Sequence, residues 1–435
     1  MSFKTATSCT SDSTYNPPPE VVETNILTPV YHTAPNGLRM VHTRVGSTRV
    51  DLAGVIVNVG SRDEAEEYNG LAHFVEHTIF KGTRRRRSWH ISNRMEAVGG
   101  ELNAYTTKEE TVVYTVAPAG NLPRSVDLIA DLVTDSIFPQ AELDKEREVV
   151  IDELNSYLDT PADAVFDDFE DLLFAGSRLG HNILGDEQSI ARLSSDVCRR
   201  YLDEFYTPAR MVFFYNGALD ADTVFRAVER SPLGRLARPD VSVSRVVPPA
   251  VTPFDISRNI DSHQSHTVIG ARIPGRASAD RFAVALLTNI LGGPGMNSLL
   301  NQALRERRGL VYSIDASTAL YTDCGALTIY FGCDGDDVKR CRRLVDDILR
   351  RLCDEPLTAR RLEMARRQFL GQMIVAAESR EQSTMNMARA TLLSGRAPSS
   401  AETIEAINAI TADDLCRVAA YIHPAACSTL TFRSR

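Results

Sequence analysis

Gly70-Leu71-Ala72-His73-Phe74-Val75-Glu76-His77-Thr78 is the stretch on which the reading of this chain turns. Taken as a helix, it sets His73 and His77 one turn apart on one face, where both imidazoles can reach a single metal ion. Glu76, three residues after His73, points to the flank of that face. There it can touch a water on the ion without being a ligand. The spacing alone leaves open two ordinary histidines in a core or on a surface, so a third ligand must come from elsewhere.

The surrounding chain has 435 residues, enough for two to four domains. It is 43% apolar and 24% charged, an ordinary globular balance, and its formal charge of −9 argues against a nucleic-acid partner. The eight cysteines form no C-x-x-C pair, as expected of reduced thiols used as small apolar residues. Residues 1–24 read as disordered or extended, with Pro17-Pro18-Pro19 as a stiff lead-in. They carry neither the apolar run of a secretory signal nor the repeated arginines of a transit peptide. No apolar run approaches about 20 residues, so no membrane span is expected, and the default is a cytoplasmic protein.

Outward from the histidines, Val30 to Val45 reads as a hairpin about Asn36-Gly37, and Asp51 to Val59 as a further strand. Arg84 to Arg87 reads as a solvated loop rather than an anion site. A helix follows around Ile91 to Val98, then a long, interrupted strand from Glu101 to Val116. Helical spacing returns over 122–136 and 142–158, residues 160–208 are mostly helical, and Met211 to Tyr215 is a buried-type strand. The Pro- and Arg-rich segment 232–256 is the linker candidate. It separates a first domain, 25–231, from a second, 257–435.

The second domain repeats the first at an offset of about 219 residues. His73 then falls on Gly292, Glu76 on Gly295, His77 on Met296 and Glu153 on Gln372, so the copy keeps the pattern without its ligand chemistry. In the first domain, the helix 142–158 offers Glu146 and Glu153, seven residues apart on one face, with Val149 and Val150 between them on an apolar stripe. Carboxylates on such a stripe need a reason, because an unpaired buried charge is costly. Glu153 is assigned as third ligand and Glu146 as the carboxylate that orients a histidine or Glu153. The ordinary alternative is that both reach solvent or pair with an arginine such as Arg147.

At this point the chain resembles the pitrilysin, insulysin and mitochondrial-processing-peptidase family of zinc peptidases, whose motif H-x-x-E-H inverts the common zinc order. The matching elements are HFVEHTIFKGT (73–83), GGELNAYTTKEETVVYTV (99–116), EREVVIDEL (146–154) and ALRERRGLVYSI (303–314). The resemblance implies an α+β fold of two similar domains, each a mainly antiparallel sheet packed with helices. It implies zinc held by His73, His77 and Glu153, Glu76 as general base on a water that zinc acidifies, and Glu146 in support. Arg305 and Tyr312 resemble the family's pair that anchors substrate and steadies the tetrahedral intermediate. Asn103-Ala104-Tyr105-Thr106 matches its edge strand, which binds an extended peptide by strand addition. Phe80 resembles the apolar wall of a pocket beside the scissile bond. Asp163 and Asp167 match positions that read a basic side chain in presequence-processing relatives.

The expected activity is therefore that of a zinc metalloendopeptidase acting on peptides or extended segments. Larger relatives close four such domains into a chamber. Two domains here imply a homodimer, with Arg305 and Tyr312 completing the zinc site of the other copy. Gly292-Gly293-Pro294-Gly295 resembles the substrate-contacting loop of a non-catalytic processing subunit, or is a plain turn. Two other readings stay open: a subunit active only with a different partner, and a scaffold like the respiratory-complex core proteins that resemble this family. Those scaffolds typically lose the motif or its glutamate, and here the full set is intact.

Overall fold

Two sheets built to one plan carry the chain. The computed structural model describes residues 28–239 and 245–434. The N-terminal segment read as disordered lies outside them, as does part of the linker candidate. The first half contributes β1 (Val30–Thr33), β2 (Arg39–Arg44), β3 (Val50–Val57), α1 (Leu71–Thr78), α2 (Ser88–Glu96), β4 (Glu101–Thr106) and β5 (Thr111–Pro118). It continues with α3 (Leu122–Asp135), α4 (Gln140–Leu158), α5 (Pro161–Leu173), α6 (Glu187–Ile190), α7 (Ser195–Phe205), β6 (Met211–Gly217), α8 (Ala221–Arg230) and α9 (Pro232–Arg235). The second half contributes β7 (Asp255–Ile260), β8 (Ser265–Pro274), α10 (Arg281–Gly292), β9 (Val311–Leu320), β10 (Cys324–Cys333) and α11 (Val338–Asp354). Helices α12 (Ala359–Ala377), α13 (Arg380–Ser394), α14 (Ser400–Ala409) and α15 (Ala412–Ala419) lead to β11 (Ser428–Ser434).

The first sheet has the order β1-β2-β6-β3-β5-β4 and the second β7-β11-β8-β10-β9. Apart from β1, the two orders correspond strand for strand. Each also has a single parallel pair at the same place, β2 with β6 and β7 with β11. The offset read from the sequence is carried by the helices: Gln140 and Ala359 stand 219 residues apart, as do Leu158 and Ala377. The hairpin turn of β1 and β2 is also where the sequence placed it, with Gly37 at φ +90°, a conformation glycine adopts without strain. Among the described residues no helix is long and apolar enough to cross a membrane.

Each sheet packs one face on its own helices and the other on a helix lent by the opposite half. Val41, Ile56, Val212 and Phe214 of the first sheet bury against Met385, Ala388 and Leu392 of α13. Val268, Ala326, Leu430 and Phe432 of the second bury against Ala164, Val165 and Phe169 of α5. Each such Val, Leu, Ile, Phe or Met side chain contributes about 1.5–3 kcal/mol by leaving water. The host sheet also ties down the visiting helix's last carbonyls, which have no partner within the helix. Arg39 donates to the carbonyls of Thr391 and Leu392 at 3.1 and 2.9 Å, and Arg272 to that of Leu173 at 2.8 Å.

Two expectations need correction. Glu101 to Val116 is not one interrupted strand but the hairpin β4–β5, turned through the buried residues Lys108, Glu109 and Glu110. Arg84 to Arg87 is not simply solvated. Arg85 and Arg86 both pair with Asp131, which is fully buried and needs the charge, while Arg84 stays exposed. The linker candidate is pinned on both sides of residues 240–244. Arg238 donates to the carbonyls of Val133, Thr134, Leu202 and Tyr206, and Arg245 pairs with Asp63 at 2.7 Å.

Candidate metal centre

Helix α1 is held at its first turn by a residue the motif does not include. Gly70 lies at φ +87°, and a Cβ there would meet the Leu184 carbonyl oxygen at 2.6 Å, so only glycine fits. The Glu64 carboxylate, fully buried, accepts the backbone N–H groups of Gly70 at 2.9 Å and Ala72 at 2.6 Å. It satisfies two donors that a helix start leaves bare. His181 stands 3.6 Å from that carboxylate. Leu71, Ala72, Phe74 and Val75 bury into the first core, which leaves His73, Glu76 and His77 for the other side of α1.

Helix α4 meets that side with a different stripe from the one expected. Its buried residues are Leu143, Glu146, Val150 and Leu154. Val149 is 50% exposed, and the Glu153 side chain keeps 46% of its surface. Only Glu146 is a carboxylate on the apolar stripe, and it is paired twice. It contacts His77 Nδ1 at 3.1 Å and Lys81 Nζ at 2.6 Å. Arg147 does not compete for it; it pairs with Asp144 and donates to the carbonyls of Ile190 and Leu193.

The ligand atoms of His73, His77 and Glu153 all lie within 4.8 Å of one another. Glu153 Oε2 is 3.8 Å from His73 Nε2 and 3.4 Å from His77 Nε2. Donors around a tetrahedral zinc at 2.0–2.1 Å stand about 3.3 Å apart, so the cluster has the span of such a site. His73 supplies a second test of fit. It is 8% exposed, its Nδ1 is buried without a partner among the described residues, and its Nε2 stands too far from Glu153 for a hydrogen bond. Burial, with the charge of His77 beside it, lowers its pKa to about 4. A neutral imidazole offers the lone pair a metal needs. The contact of Glu146 with His77 Nδ1 leaves Nε2 for the metal, the arrangement usual for ligating histidines. These residues fit zinc.

Glu76 lies beside the cluster. Burial pushes its carboxyl up, and the charge of Glu153 adds to this, while Thr106 and His77 oppose it. Thr106 ends β4, the edge strand of the first sheet, which pairs only with β5 among the described residues. Strand alternation turns Leu102 and Ala104 toward the helices and Tyr105 toward α13. Phe80, just past α1, is part-buried on the same core. Asp163 is exposed on α5, while Asp167 accepts from Asn182 at 2.6 Å, and burial raises its pKa against the pull of Lys108.

Arg305 and Tyr312 stand apart from this group. Arg305 is exposed on a π-helical turn, Asn301–Glu306. Tyr312 is 57% exposed, and its hydroxyl donates to Asp334 at 3.0 Å. Neither hydrogen-bonds to His73, Glu76, His77 or Glu153. In the second half, Gly292-Gly293 closes α10, and Met296 beyond it is 68% exposed. The sequence reading missed Glu64 and Lys81. An acidic residue six positions before the helix-opening glycine, and a lysine one turn after His77, were the available signals.

A helix bearing two histidines and a carboxylate, faced by a glutamate on a second helix, defines the metallopeptidase class of site. Residues 39–187 match the family model described as Insulinase (Peptidase family M16), and residues 192–369 match that of the Peptidase M16 inactive domain. An uncharacterized zinc protease of Mycobacterium tuberculosis is 34% identical over 91% of this chain and 91% of its own. Another, of Streptomyces coelicolor, is 33% identical over 89% and 85%, and one of Bacillus subtilis is 30% identical over 87% and 92%. The fold matches the crystal structure of a protease from Helicobacter pylori with a TM-score of 0.85 at 19% identity, covering 94% of this chain and all of that one. The chain belongs to the insulinase family, peptidase family M16.

Proposed function

We propose that the protein is a zinc metalloendopeptidase that hydrolyses peptides or extended polypeptide segments. The observation that carries this reading is the convergence of His73, His77 and Glu153 with Glu76 alongside. Family membership and the zinc-protease names of its relatives agree with it. Bound zinc supplies Lewis acidity and makes water a stronger acid. Glu76 takes the proton of the attacking water and passes it to the leaving amine, and its partial burial suits it to hold a proton between those steps. Glu146 and Lys81 keep the His77 ring in place.

Substrate lies along the open edge of β4, pairing with the backbone of Asn103, Ala104, Tyr105 and Thr106, with Phe80 as an apolar wall. Asp163 and Asp167 favour a basic side chain nearby; cleavage of a peptide library without basic enrichment would refute that preference. Residues 25–231 form the catalytic unit and 257–435 the unit that brings Arg305 and Tyr312. Because that pair makes no hydrogen bond to the ligands of its own chain, it serves the site of a second copy, and a homodimer encloses the substrate chamber. Mixing inactive His73→Ala with inactive Tyr312→Phe then restores activity; failure of the mixture argues against action between copies. Chelation abolishes hydrolysis of a quenched fluorescent peptide, and added zinc restores it. Hydrolysis that persists in excess chelator overturns the proposal.

A further inference from the structure

Where β4 turns into β5, the chain runs into a cleft of about 360 Å³ between the two halves. Its charged lining consists of Lys108, Glu109, Glu110, Asp167, Glu170, Arg276 and Arg389. Three of the acids, Glu109, Glu110 and Glu170, and two of the cations are already engaged, while Asp167 meets only the Asn182 amide. Arg389 Nε grips Glu110 at 2.6 and 2.8 Å. Lys108 donates to the His181 carbonyl and stands 3.9 Å from Glu170, which also faces the Tyr321 hydroxyl at 3.4 Å. Glu109 pairs with Arg62 and accepts from Thr322.

Arg276 differs from the rest. Its Nε and Nη2 share one neutral acceptor, the Leu320 carbonyl, at 3.2 and 2.5 Å. Its Nη1 donates to nothing among the described residues, and its guanidinium forms no ion pair there. Burial and the neighbouring guanidinium groups of Arg389 and Arg245 work against its charge, with Glu110 and Glu109 opposing them. A half-buried cation so placed is stabilised by an incoming anion, and a guanidinium is suited to a carboxylate. The apolar lining, including Phe166 and Leu320, suits a carbon chain behind the charge, which a bare inorganic ion lacks. The cleft opens at the end of the edge strand, one residue past the Thr106 that neighbours Glu76.

We propose that this cleft is a carboxylate subsite for the substrate peptide, with Arg276 as the residue that binds the carboxylate. The proposal rests on the peptidase reading above. The carboxylate has two sources, the peptide's C-terminus or an aspartate or glutamate side chain, and one experiment separates them. Three internally quenched peptides of one neutral sequence are compared: a free C-terminal acid, its carboxamide, and the carboxamide with one internal aspartate.

The zinc-loaded full chain is expected to cleave the free acid or the aspartate peptide about tenfold more efficiently than the neutral amide, through KM. Whichever is favoured identifies the source. Arg276→Gln removes the preference, so that acid and neutral amide are cleaved alike, and Arg276→Lys keeps part of it. Equal cleavage of all three by the wild type, or a preference that survives Arg276→Gln, overturns the proposal. If no peptide is cleaved, the peptidase reading fails, and the subsite is judged by fluorescence anisotropy of the same peptides. Acid binding that Arg276→Gln weakens about tenfold upholds it, and equal binding of acid and amide overturns it.

Discussion

The α1–α4 pair and the α10–α12 pair follow equivalent strands in two sheets of the same order, yet one gathers His73, His77 and Glu153 within reach of a single ion and the other, among the described residues, gathers no such set. Where the first half has His73, Glu76, His77 and Glu153, the second has Gly292, Gly295, Met296 and Gln372. Gln372 accepts from Asn289 at 2.6 Å, and Gln368 and Asn297 exchange hydrogen bonds at 2.7 and 3.2 Å. A Cβ on Gly292 would meet the backbone nitrogen of Ala316 at 2.6 Å, so the position of His73 has no room for a side chain in the copy. Neutral amides satisfy one another where the charged set calls for a cation. The frame is set by buried apolar positions, and the chemistry by a few residues placed on it.

This contrast is easiest to break at the ligands. His77→Ala is expected to lose bound zinc and lower kcat/KM by on the order of 10³-fold. Gln372→Ala, at the position equivalent to Glu153, leaves activity within about twofold. Comparable losses from both would mean that the second half takes part in the chemistry. Grafting Met296→His and Gln372→Glu together sharpens the point: metal analysis is expected to give one zinc per chain, because Gly292 supplies no ligand. Two zinc ions per chain would contradict the account.

Support around the ligands comes next in size. Glu146→Gln should lower zinc affinity or activity about 10–100-fold by loosening His77. Zinc titration and kcat/KM check it, and wild-type values for both would make Glu146 a bystander. The exchanged helices give the smallest effect on activity. Phe169→Ala on α5 should cost about 3–5 kcal/mol and Met385→Ala on α13 about 2–5 kcal/mol. Both should move one shared denaturant transition, since each helix is bedded in the other half's sheet. Two separate transitions, with each variant moving only one, would show halves that unfold independently.

Much of this was legible in the sequence because its signals are local. The spacing of His73 and His77, the glycine at 70 and the apolar periodicity of 122–136 each act within a few turns of chain. The repeat could be read because α4 and α12 recur at one offset. What could not be read depends on contacts between distant segments. Whether Val149 or Glu146 faces the core is decided by how α4 lies on α1, and helical periodicity alone offered either stripe. The pairing of Asp131 with Arg85 and Arg86 joins residues more than 40 positions apart, so the arginine run looked solvated. The α5 and α13 exchange leaves no mark in either helix, because an amphipathic face does not say which sheet it will meet.

The central claim is that zinc sits on His73, His77 and Glu153 while Glu76 moves the proton. Glu76→Gln tests it most directly, with zinc content and peptide hydrolysis measured on the same preparation. The account predicts full zinc occupancy with kcat lowered about 10²–10⁴-fold. Hydrolysis at the wild-type rate in the zinc-loaded variant would contradict it.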